Sequence, residues 1–428
     1  MKTSKLLSNF IFFFIVITFL FGRSFMGIYI LNFRIGELIV LISVLSYTLL
    51  LFKISELNST FNTKILFTNL LIIFSFLVSA ISSNTNFFNP YTFKSSNYIW
   101  AVSFIYIGYF FAKNYEHSKT KQVILNFSLV YLYFLSTVNY PNFIINFFQN
   151  YSDKWDFNKA SSLVLCFVVV SIFNNKYLFF KLFSIDYFLL VSSLFLPLIL
   201  FKSRGSFIGL IVFIILQLFV LREKIYENKK RFSLTLLVCL FTFFISSFII
   251  LDQDPELLLQ GEIDLISSSQ VIEKLTNQKD TKVESFISFY IFQDRVYSVD
   301  GNVNWRIQIW QDVIFDQINE SKSLFGYGYS EMIPAMTVLE RQGRDGLNEN
   351  VHNFIINIIA RGGLFQFIIY MFFFFYLVKF QKDKFSILSI IFPLFTVSFF
   401  DASMENSHFP IIFYLFIGYF FNNKNITN

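Results

Sequence analysis

Only three histidines occur in the 428-residue chain, and one of them, His352, stands beside Asn353 where a long polar stretch gives way to an apolar one. Imidazole changes charge near neutral pH, so a neutral one at this position can take a proton from a hydroxyl group. The pair also opens a helix, and the free N–H groups and dipole at a helix start favour anions. The plainer alternative is a capping asparagine next to a hydrogen-bonded structural histidine. Two arginines carry a complementary chemistry. Arg204 lies in the tight run Lys202-Ser203-Arg204-Gly205-Ser206, and Arg306 in Asn304-Trp305-Arg306-Ile307-Gln308-Ile309-Trp310. A guanidinium is planar, permanently charged and able to grip phosphate oxygens in pairs. Against this, Arg204 also reads as an interfacial arginine snorkelling to headgroups, and Arg306 as a solvated loop residue. Cys166 and Cys239 both fall inside apolar runs, so neither a disulfide framework nor a metal site is expected.

The elements that must position these side chains follow from composition. Hydrophobic residues make up 55% of the chain and charged ones only 14%, against about 25% charged in ordinary soluble domains. The 64 phenylalanines fit interchangeable lipid-facing positions. A net charge of +6 would suggest nucleic acid in a soluble protein, but here it fits cationic loops on the cytoplasmic side, and no nucleic-acid partner is expected. The fold class expected is all-α, a polytopic integral membrane protein. A span takes about 20 apolar residues. Runs of roughly that kind occupy residues 6–22, 36–52, 65–82, 98–112, 122–138, 161–174, 185–201, 206–221, 233–251, 351–378, 385–400 and 409–421. The first has no small-residue cleavage site at Phe21-Gly22-Arg23 and reads as a retained helix.

This predicts twelve transmembrane helices in three blocks: nine over residues 1–251, a large polar loop over 252–350, and three more over 351–428. With the N-terminus inside, the inner segments hold 18 lysines and arginines and the short outer loops 7, which supports cytoplasmic termini and an outer large loop. Arg204, Arg306, His352 and His408 then fall outside, and His117 inside. Within the loop, Ile309, Val313, Ile314 and Ile318 recur at helical spacing, which predicts an amphipathic helix lying on the membrane or on the bundle. Gly326 and Gly328 permit a turn with unusual backbone angles. Residues 252–300 are acidic early and carry no motif with an assignable role.

His352-Asn353, nine residues, then Gly363 resembles the signature of the O-antigen ligase and polymerase superfamily. That pattern continues with two residues and then a small residue or tyrosine, where this chain has Gln366, a departure that weakens the helix-packing part of the motif but not the histidine. Ser203-Arg204-Gly205 matches the family's arginine after a short outer loop, and Arg306, Trp310, Gly326 and Gly328 match its later arginine, tryptophan and Gly-x-Gly. The resemblance covers about residues 200–370, and the first six helices match by number alone.

It implies a glycosyltransferase of the GT-C type in the bacterial inner membrane, with its active site on the periplasmic face. Such an enzyme moves a glycan from undecaprenyl diphosphate to an acceptor hydroxyl, with neither cofactor nor metal. His352 would be the catalytic base, Arg204 and Arg306 would bind the diphosphate, and Asn353, Gly363, Trp310, Gly326 and Gly328 would support them. Asp401 and Glu405 would orient His352 or bind sugar. Direct attack would invert the anomeric centre, and the absence of a paired-carboxylate signature agrees with that. The acceptor would be lipid A-core for a ligase or a second lipid-linked glycan for a polymerase. Three motifs in order and a single late loop favour the ligase. A protein acceptor is disfavoured because no further periplasmic domain follows the twelfth predicted helix. A polysaccharide flippase is the alternative from another class, but the apolar runs are almost free of charge and show no internal repeat.

Overall fold

The structure is a computed structural model. It describes residues 2–31, 33–52, 60–116, 118–138, 140–153, 158–177, 184–251, 289–298, 300–342, 348–381 and 384–422. The acidic stretch 252–264 and His117 lie outside the described residues. The described chain is mostly helical, and each of the twelve apolar runs carries helix. Lipid offers no hydrogen bonds, so an apolar run must satisfy its backbone internally, and a helix does so within one segment. Lys5–Met26, Ile65–Ser82, Lys119–Val138, Lys229–Ile250 and Phe354–Lys379 are long and apolar enough to cross a membrane, and Ile35–Thr48, Ala160–Asn174, Arg204–Val220, Ile387–Phe399 and His408–Phe421 are shorter apolar helices. Among the described residues two short antiparallel hairpins interrupt the helices, one pairing Tyr29–Ile30 with Phe33–Arg34 and the other Phe289–Phe292 with Arg295–Ser298.

The chain forms two compact units. The first comprises Met1–Asn58, Trp100–Gly261 and Val378–Asn428. Its helices pack closely through glycine. A Cβ on Gly108 would strike the Leu415 carbonyl, and one on Gly418 the Ile105 carbonyl, so Phe104–Asn114 and His408–Asn422 lie backbone to backbone. Several polar groups on these apolar helices are paired within the unit. Arg231 donates to Asp186, as does the Thr235 hydroxyl at 2.6 Å, and Gln217 donates to the Ser389 hydroxyl at 2.8 Å. His408 and Ser162 share a buried hydrogen bond of 2.8 Å.

The second unit comprises Ser59–Ile99 and Glu262–Leu377. It contains the helices Thr60–Ser82, Pro90–Ser95, Gly301–Asn319 and Phe354–Lys379, and the Phe289–Ser298 hairpin. Its core gathers Ile309, Val313, Ile333, Met336, Val351 and Ala360. The fold buries only part of the predicted apolar stripe of the Gly301–Asn319 helix. Ile309 and Val313 are fully buried, but Ile314 and Ile318 are 39% and 61% exposed. At 100° per residue the face through Ile309 and Val313 continues to Gln317, not to Ile318. Gln317 is buried and donates to the Ile359 carbonyl at 2.8 Å, so a polar side chain completes the packed face.

Candidate active site around His352

His352 is positioned by its backbone on both sides. Val351 before it is fully buried, and the Val351 carbonyl accepts the Trp310 indole N–H at 2.7 Å. After it, the Asn353 side-chain oxygen accepts the N–H groups of Ile355 and Ile356 at 3.0 and 3.1 Å, which caps the helix Phe354–Lys379. Asn353 is thus the helix cap that the plainer reading required. Between these anchors His352 adopts φ +52°, a left-handed conformation that costs a β-carbon residue about 1–3 kcal/mol and recurs at functional sites. Its Nε2 lies 3.1 Å from the Asn348 side-chain oxygen, and its ring packs 5.2 Å from the Trp305 ring at 59°.

The Arg306 helix is equally fixed. Asp300 caps its start by accepting from Asn302 and Val303 at 3.0 Å. Asp312, on the same helix, pairs with Arg295 of the hairpin and with Arg341 at 2.6 Å, strapping loop segments on both sides to it. Arg306 is half-buried and next to Trp305, the residue whose ring meets His352. The unit therefore brings Trp305, Arg306, Trp310, His352 and Asn353 onto one helix and one helix start.

Gly326, Gly328 and Gly363 join a loop to a bent helix. Gly326 has φ +73° and Gly363 φ +70°. A Cβ at either would land on backbone, that of Arg361 for Gly326 and that of Leu324 for Gly363. Only glycine meets both demands. At this bend the helix exchanges hydrogen bonds with the loop. Tyr327 and Gly328 N–H groups donate to the Ala360 and Arg361 carbonyls at 2.8 and 3.0 Å, and Leu364 and Phe365 donate to Ser323 and Leu324 at 2.9 and 3.1 Å. The departure at Gln366 has a local cause: its side-chain oxygen is fully buried and accepts from the hydroxyls of Tyr329 at 2.6 Å and Tyr98 at 3.2 Å.

Residues 187–371 match the family model described as O-antigen ligase. This match supports membership of the O-antigen ligase and polymerase superfamily. This O-antigen ligase domain includes Arg204, Arg306, Trp310, Gly326, Gly328, His352, Asn353 and Gly363. No curated protein matches the chain.

The remaining predicted site residues lie in the first unit. Arg204 begins the helix Arg204–Val220, capped by Ser203, whose hydroxyl accepts from Ser206 N–H at 3.3 Å. Gly205 packs against Phe400, so the Arg204 turn runs alongside the segment that carries Asp401. Asp401 accepts from Ala402 N–H at 2.8 Å, and Glu405 closes a short 3-10 turn, Ser403–Glu405. Among the described residues no group of three or more His, Cys, Asp or Glu is placed to hold a metal ion.

Three residues escaped the sequence reading. Trp305 was visible only as the neighbour of Arg306. Arg361 carried a signal, a lone charge in an apolar run. Asn348 carried none, because an amide in a polar loop has no distinguishing pattern.

Proposed function

We propose that the protein is a membrane glycosyltransferase that moves a glycan from undecaprenyl diphosphate onto an acceptor hydroxyl, and that it acts as an O-antigen ligase with lipid A-core as acceptor. The observation that carries this reading is the span of the O-antigen ligase match, whose residues 187–371 enclose Arg204, Arg306 and His352. The acceptor oxygen attacks the anomeric carbon, the bond from that carbon to the diphosphate oxygen breaks, and undecaprenyl diphosphate leaves with the electron pair. The hydroxyl proton passes to His352 as general base. Attack opposite the leaving group inverts the anomeric centre. Charge grows on the diphosphate, and the chemistry of Arg306 and Arg204 assigns them to its compensation. The site is assigned to the periplasmic face of the inner membrane, with twelve spans and both termini cytoplasmic.

Complementation tests the reading. Wild type and His352→Ala are expressed in a strain lacking its O-antigen ligase and in one lacking its polymerase, and lipopolysaccharide is resolved on a gel. Capped core restored in the first strain is expected. A ladder restored only in the second identifies a polymerase. His352→Ala is expected to lose about 10²–10⁴-fold in transfer while retaining wild-type abundance. If His352→Ala restores either phenotype as well as wild type does, the catalytic assignment is wrong.

A further inference from the structure

We propose that Asn348 is a positioning residue that fixes His352 as the tautomer protonated on Nε2, with the ring's lone pair on Nδ1. The inference rests on the role assigned to His352 above. A neutral imidazole holds one hydrogen, so whichever nitrogen donates, the other keeps the lone pair. What faces Nε2 therefore decides which nitrogen is basic.

The amide of Asn348 cannot be turned over. Its nitrogen Nδ2 donates to the Asn350 carbonyl at 3.0 Å, and its oxygen Oδ1 accepts the Asn350 N–H at 3.3 Å. Reversing the amide would set N–H against N–H and oxygen against oxygen. The Asn348 backbone is held too, its N–H donating to the Gln342 carbonyl at 2.9 Å. The atom presented to His352 Nε2 at 3.1 Å is therefore Oδ1, which has no hydrogen to give. Nε2 must carry it.

The ring cannot readily present its other edge. Turning it over would set the carbon Cε1 in place of Nε2 against Asn348 Oδ1 and lose this hydrogen bond, and the Trp305 ring packs 5.2 Å away. The same geometry explains why an amide serves better than a carboxylate at position 348. A carboxylate would stabilise the imidazolium and remove the base at neutral pH. Asparagine orients the ring without charging it.

The test is nitrogen NMR on the full chain, labelled with ¹⁵N-histidine in lipid bilayers at about pH 8, above the ordinary imidazole range. His352→Gln identifies the His352 signals by subtraction. Wild type is expected to show a protonated Nε2, a bare Nδ1, and an Nε2 proton protected from exchange with water. In Asn348→Ala that proton signal is lost. In Asn348→Asp it persists, and the acid limb of the activity profile moves up by about one pH unit. Turnover in Asn348→Ala falls by about 10²-fold, as for a misplaced catalytic group, with the Michaelis constant for the donor little changed.

A hydrogen on Nδ1 in wild type overturns the proposal, and so does a protected Nε2 proton that survives in Asn348→Ala. The two readings fail separately. If the tautomer is as described but His352→Gln keeps full transfer, the catalytic role falls and the tautomer assignment stands. If His352→Gln abolishes transfer but Nδ1 carries the hydrogen, this inference falls alone.

Discussion

A full positive charge sits on Arg361, 3% exposed, inside an otherwise apolar helix. Burying it is tolerable because its guanidinium has acceptors in place. It donates to the Glu331 carbonyl, to the Gly328 carbonyl at 3.3 Å and to the Tyr91 hydroxyl at 3.0 Å, and it lies 5.3 Å over the Tyr91 ring. Arg361→Met strips two carbonyls of this donor. The expected loss is about 2–3 kcal/mol, read as a lower unfolding temperature in detergent, with Arg361→Lys between the two because it keeps the charge but not the planar fork. At this scale the sequence was legible where a residue type is rare or constrained. His352 stood out by scarcity, and Gly326 and Gly363 by spacing. Arg361 stands in plain view beside Gly362 and Gly363 but has no role legible in sequence, because its acceptors are carbonyls from a distant loop, and Asn348 has none because its importance lies in which atom faces an imidazole.

Helices were legible because an apolar run in lipid has few alternatives to a helix. Their irregularities were not. The Phe354–Lys379 helix reads as one continuous run, yet it bends at Gly363, where the Leu324 carbonyl approaches. Gly363→Ala adds a Cβ at φ +70° against that carbonyl and is expected to destabilise by about 3 kcal/mol or to abolish accumulation, measured as folded yield after purification. The Phe289–Ser298 hairpin was missed outright, because Phe289–Phe292 lacks the polar alternation by which a half-buried strand is recognised. The Gly301–Asn319 helix and its C-cap carry Asp312, Asp316 and Glu320 along one side. Burial, then the charges of Asp312 and Glu320, hold the Asp316 carboxyl above the usual carboxylate range. The folded chain thus binds that proton more tightly than the unfolded one. Stability is intact while both forms are protonated and is lost as pH rises through the unfolded and then the folded value. Asp316→Asn is expected to melt above wild type at neutral pH, with the difference vanishing below about pH 4.

For the whole molecule, the charge count predicts an orientation that packing does not determine. Replacing Cys166 and Cys239 by alanine leaves a background for single-cysteine labelling. Gly301→Cys, at a position open to solvent, should react with a membrane-impermeant maleimide from the periplasmic side. Tyr226→Cys, 68% exposed near the cationic run Lys229-Lys230-Arg231, should react only after permeabilisation. The reverse pattern would invert the topology. Composition and charge are summed over many residues, which is why they survive local errors. The division into two compact units does not follow the chain, since each draws on separated segments, and no local pattern announces it.

The exchange of backbone hydrogen bonds between residues 323–328 and the bend at Gly363 bears on how the chain is made. Ribosomal synthesis runs from the N-terminus, so the loop emerges before Phe354–Lys379 does. With the orientation proposed above, it has already been exported when that helix enters the bilayer. The bent helix thus meets its complement waiting on the arrival side, and its unpaired amides face lipid only for the time that docking takes. A chain rearranged so that the helix preceded the loop would encode the same contacts. It would, however, have to hold an open bend in hydrocarbon until translation caught up, which makes gene order part of what allows this fold to form.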